Sequence, residues 1–195
     1  MEKANAGSTA TCALNSLMAS GESVELEGHY SVECRDADGN VKWTDTIKNL
    51  VTDVGKKALL DTFLGGSAYT VTGPFMGLIN TNASAAAYAD TMASHAGWLE
   101  VGGANAPAYT APRKTISFSA AAGSAGSISK ASSGTYTFAF TSAGTVGGCF
   151  LTLGSGAVST IDSTAGTLYS AGAFSGGSKT VASGDSLSVT YSASA

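Results

Sequence analysis

Only two histidines, His29 and His95, occur in the 195-residue chain, and they bound the acid–base chemistry available to it. His95 closes the run Asp90-Thr91-Met92-Ala93-Ser94-His95, which gathers the residue types of a hydrolytic triad within six positions. That grouping carries little weight, because Ser and Asp are common here and a triad is defined by geometry rather than by sequence neighbourhood. No Gly-x-Ser-x-Gly elbow occurs. The expectation is a loop histidine hydrogen-bonded near Trp98. His29 falls on the polar side of an alternating segment and reads as a surface or interface residue.

Metal and phosphate chemistry find no better footing. Neither Cys-x-x-Cys nor His-x-x-x-His spacing is present. Asp36-Ala37-Asp38-Gly39-Asn40 has a superficial likeness to a calcium loop, but its glycine is misplaced and Ile47 stands where a bidentate glutamate should close it. The glycine-rich steps at 144–148 and 154–156 lack the Lys-Ser/Thr of a P-loop. Three cysteines, Cys12, Cys34 and Cys149, are widely separated; Cys34 and Cys149 either pair across the fold or remain as free buried thiols, the reading favoured without an export signal. No catalytic residue, metal site or cofactor is assigned, and the chain reads as a non-enzyme.

Composition points the same way. Charged residues make up 12% of the chain, about half the usual share, and Gly, Ala, Ser and Thr take their place. Net charge is −4, which argues against nucleic acid or an anionic membrane as partner, since those call for a basic surface. Mean hydropathy is +0.15, and a chain of this mass buries roughly 70% of its unfolded surface. The N-terminus lacks the basic and apolar regions of a secretory signal, so synthesis in the cytoplasm is expected.

The elements that must position any site divide the chain into an extended N-terminal arm, residues 1–21, and one β-rich domain, residues 22–195. Leu14, Leu17 and Met18 are the arm's apolar residues. Their i, i+3, i+4 spacing suits a short helical turn, or an arm that orders only against a neighbour, the reading favoured here. Alternation through Val24–Cys34 and Val41–Ile47, joined by Asp38-Gly39, predicts a β-hairpin. A helix is expected over Asn49–Leu64, with Val51, Val54, Gly55, Ala58, Leu59 and Phe63 on one face and Gly55 allowing close approach to a sheet. Leu60 and Leu64 fall outside that face. A strand at Phe75–Ile79, a loose helix over Ala83–Met92 and a short strand at Trp98–Val101 follow.

Beyond Lys114 the segments alternate at short, near-regular spacing with Gly/Ser turns, which predicts a mainly β fold: an antiparallel, jelly-roll-like β-sandwich with one helix. This region carries only Lys130, Asp162, Lys179 and Asp185 as charges. So sparse a charge is unusual for a free monomer and favours a permanent homo-oligomer or larger assembly.

The run Gly28-His29-Tyr30-Ser31-Val32-Glu33-Cys34-Arg35-Asp36, then Asp38-Gly39-Asn40-Val41-Lys42-Trp43 and Asn49-Leu50-Val51-Thr52, resembles small structural proteins of tailed bacteriophages. Phe75-Met76-Gly77-Leu78-Ile79, Ala96-Gly97-Trp98-Leu99-Glu100, Val146-Gly147-Gly148, Gly166-Thr167-Leu168-Tyr169-Ser170 and Val181-Ala182-Ser183-Gly184-Asp185-Ser186-Leu187 extend the resemblance, in order, to about Tyr191. It implies a virion protein of the capsid decoration or cement type, partnered by the major capsid protein and sited on the capsid surface. It supplies no functional residues. Leu14, Leu17, Met18, Leu60 and Leu64 are the candidate interface residues. The alternative is a head-fibre or tail receptor- or glycan-binding module, with Trp98 and Tyr109 lining a sugar site.

Overall fold

The computed structural model describes residues 26–64, 72–80, 86–124 and 127–195. The arm, with Cys12, Leu14, Leu17 and Met18, lies outside the described residues. The alternating hairpin forms as expected: β1 (Glu27–Arg35) and β2 (Val41–Val51) pair antiparallel across Asp36–Asn40. Asp36 accepts from the backbone N–H groups of Asp38 and Asn40, and Gly39 takes φ +86°, a left-handed conformation that favours glycine.

The predicted helix is shorter than its apolar pattern suggested. Asn49, Leu50 and Val51 belong to β2, where Asn49 pairs with Gly28 and Leu50 and Val51 pair with residues 171 and 170. Thr52 then caps α1 (Asp53–Phe63): its Oγ1 accepts from the Gly55 N–H at 3.1 Å and donates to the Leu168 carbonyl. An N-cap hydroxyl and a β-branched pair so close together end the strand and start the helix within one residue.

The other strands are β3 (Phe75–Asn80), β4 (Lys114–Thr115), β5 (Ala122–Ser124), β6 (Ser127–Ala131), β7 (Tyr136–Ala139), β8 (Gly144–Leu153), β9 (Thr167–Ala173), β10 (Lys179–Val181) and β11 (Ser186–Ser194). The main path of the sheet runs β4-β3-β8-β9-β2-β1-β11-β6-β5, with β10 beside β8 and β7 beside β11. All the pairings are antiparallel, and the sheet curls into a half-barrel. Only Leu50 and Val51 join β2 to β9, so the curl turns on the last two residues of one strand.

The main core includes Tyr30, Val32, Ile47, Leu78, Phe138 and Leu187. A smaller cluster of Ile79, Trp98, Phe150 and Leu168 lies apart from it. The cover over Phe150 comes from residues 86–100, where the expected loose helix is absent. Residues 86–92 instead form tight turns, with Asp90 N–H bonded to the Ala87 carbonyl and Thr91 and Ser94 exchanging backbone bonds; residues 83–85 lie outside the described residues. The segment 98–101 contributes one isolated bridge, Ile79 to Glu100, rather than a strand. Alanine-rich composition favours helix locally, but burial of Trp98 against Phe150 at 5.2 Å fixes a turn-rich path instead.

Gly55 seats α1 on β9. A Cβ there would lie 2.6 Å from the Tyr169 carbonyl oxygen. In an exposed helix Gly→Ala gains ~1 kcal/mol; here Gly55→Ala is expected to destabilise by about 1–3 kcal/mol, the usual cost of overpacking. Urea denaturation checks the sign, and a stabilised variant would show that the helix lifts off freely.

Candidate functional site

The residues of the sequence-level triad do not assemble. His95 Nδ1 lies 2.9 Å from the Trp98 carbonyl oxygen, and its ring stacks on the indole at 3.8 Å. Asp90 accepts instead from Trp98 Nε1 at 3.2 Å and from the Ala87 N–H. The histidine therefore sits where the sequence placed it, beside Trp98, and the carboxylate serves the indole. Trp98 and Tyr109 are both buried, so neither presents a ring to a sugar. Burial pushes the Tyr109 hydroxyl up, with the Glu100 carboxylate adding to the effect.

Cys34 and Cys149 are free and buried, on β1 and β8 with β9 and β2 between them in the sheet. Burial raises both thiols, Cys34 to about 11 with Asp185 adding to it, so neither has the thiolate character of a reactive cysteine. Among the described residues, no group of three or more His, Cys, Asp and Glu side chains is placed to hold a metal ion. Likewise, no described helix is long and apolar enough to cross a membrane.

Three features remain. The first is an ionic centre that sequence reasoning missed. Arg113 donates from Nε to Glu100 Oε1 at 2.7 Å and from Nη2 to Oε2 at 2.6 Å. Its Nη1 reaches the Val158 carbonyl and its Nη2 also reaches that of Ser163. Glu100 Oε2 accepts in addition from the Asp162 N–H. The two side chains are only 1% and 5% exposed. Through these bonds the centre clamps residues 100–113 to residues 158–163.

The second is the outer face of α1. Gly55 turns to the sheet, while Leu60 and Leu64 stand 54% and 82% exposed on the same side, one turn apart. Tyr88 is 56% exposed and continues this face: Lys56 Nζ lies 4.8 Å from its ring centroid, and its carbonyl accepts from the Asp53 N–H. Leu60 of α1 and Leu64 at its C-cap are therefore both on the surface, as their place outside the apolar stripe requires.

The third is an apolar groove of about 620 Å³. Leu59 of α1, Leu153 of β8, Tyr169 of β9 and Ala193 of β11 line it, with Phe118 from the segment after β4. Ser117 and Lys130 are its exposed polar members. No run of sequence announces this groove, since its walls come from segments spread over 135 positions, from Leu59 to Ala193.

Compared with protein-family models, curated proteins and solved structures, the chain matches none.

Proposed function

We propose that this chain is a non-enzymatic structural protein of a tailed-phage virion, which decorates the capsid and braces neighbouring capsid subunits by distributed contact. The observation that carries the proposal is the outer face of α1. Leu60 and Leu64, on the outer side and at the C-cap of a helix whose other side is seated on the sheet, and Tyr88 from the turn beside its first residues are large, largely apolar side chains held in water. Clustered exposure of this kind suits a surface covered in an assembly. The sparse charge beyond Lys114 and the ordered resemblance to phage structural proteins support the same reading. On it, the two halves of the curled sheet serve as the faces of a jelly-roll-like sandwich, and the chain associates with itself as well as with the major capsid protein.

The direct test is the copy number of the protein in purified virions, measured against the major capsid protein. A stoichiometric fraction, with fragile heads when the protein is removed, is the expected result. Absence from the particle would end this reading.

A further inference from the structure

We propose that the apolar groove is the docking site of the chain's own N-terminal segment, with Leu14, Leu17 and Met18 as the side chains that fill it. The inference does not rest on the capsid reading: it turns Leu14, Leu17 and Met18 to the chain's own surface and leaves Leu60 and Leu64 as the interface candidates.

The place of the groove carries the argument. Gly28 pairs with Ala193, and Glu27 with Ser194; Ala193 lines the groove. The chain therefore enters β1 from residues 1–25 at a point one strand spacing, about 4.8 Å, from the groove wall. Met18 stands eight residues before Leu26, a reach of up to roughly 26 Å when extended. Gly21 lies within that stretch, so the segment can turn back over the end of β1. Leu14, Leu17 and Met18 are the large aliphatic residues of 1–20 apart from Met1. Their i, i+3, i+4 spacing lets a single turn present all three to one groove.

Chemistry agrees with position. The walls at Leu59, Phe118, Leu153 and Ala193 are apolar but only partly buried, which is surface that apolar cover stabilises. The groove's one charged lining residue is a cation, Lys130, and the stretch joining Met18 to β1 carries Glu22 and Glu25. Attachment at Leu26 also gives the segment an effective concentration near the millimolar range, which favours the chain's own groove over that of a second copy.

The test uses the full chain. Ser117→Cys places a thiol on the exposed rim, and a short bismaleimide should then join it to native Cys12, two residues before Leu14, while buried Cys34 and Cys149 stay unreacted. Peptide mass spectrometry of the monomer band is expected to show this link, and Cys12→Ser to abolish it. In parallel, Leu14→Glu/Leu17→Glu/Met18→Glu should raise the fluorescence of an apolar surface dye at least threefold over wild type. A synthetic peptide of residues 10–22 should reverse that rise. A link found only between two chains would overturn the proposal in favour of an exchanged arm. Absence of the link, together with equal dye binding by both proteins, would overturn it outright. If the triple variant loses its circular dichroism, the cross-link in the otherwise native arm decides.

Discussion

Replacing Arg113 with methionine is expected to lower the free energy of unfolding by about 3–5 kcal/mol, the usual cost of removing one partner from a buried ion pair. The magnitude follows from what is left behind. Glu100 is 5% exposed, and without the guanidinium its carboxylate keeps only the Asp162 N–H as a hydrogen-bond donor. The Ser163 and Val158 carbonyls lose their Arg113 donors at the same time. Replacing both partners, Glu100→Leu with Arg113→Met, removes the stranded charge and should cost less than the single change, because a buried pair nearly balances against apolar residues of similar volume. Urea denaturation of the two singles and the double measures this coupling. A single variant within 1 kcal/mol of wild type would show that water reaches Glu100 and that the clamp is not closed. Hydrogen exchange provides a local reading: amides of 100–113 and 158–163 should lose protection ahead of those in β1 and β11.

The second large effect is expected at the outer face of α1. Leu60→Lys with Leu64→Lys should leave the fold intact, since exposed substitutions typically fall within about 0.5 kcal/mol. Lysine in the last turn also complements the helix dipole, where the natural sequence has no basic residue. Attachment to the capsid, on the proposed reading, should weaken by about 100-fold or more. Burying one leucine is worth about 1.5–3 kcal/mol, and a tenfold change in affinity corresponds to about 1.4 kcal/mol. Co-sedimentation of the variant with heads lacking the native protein reads this directly. Full-strength attachment would place the contact elsewhere on the surface and remove the observation that carries the proposal.

The contrast between these two sites shows what can be read along a chain. Leu60 and Leu64 were legible because helical periodicity is local: Gly55 and Ala58 define one face, and residues off it must meet water. The hairpin at Asp36–Asn40 was legible for a similar reason, since turn residues and alternation act within a few positions. Asn49–Val51 was misread because an apolar stripe at helical spacing also suits a strand end. What settles the matter is Gly28, Ser170 and Ala171 on other strands. Residues 86–92 departed from helix because Trp98 and Phe150 hold the segment down.

The ionic centre was illegible altogether. Glu100 and Arg113 stand 13 residues apart at no helical or strand period, and a charged residue beside Pro112 reads as solvated loop. Their burial depends on carbonyls near residues 158 and 163, which arrive only when the sheet closes. The sequence by itself determined the β-rich class, the hairpin, the helix before residue 65, the outward leucines and the low charge, because composition and short-range periodicity act within a few residues. Tertiary structure alone decided the half-barrel curl through β2, the Glu100–Arg113 clamp and the groove beside β11. Each of these is made by residues brought together from distant parts of the chain, and no local preference records a contact of that kind.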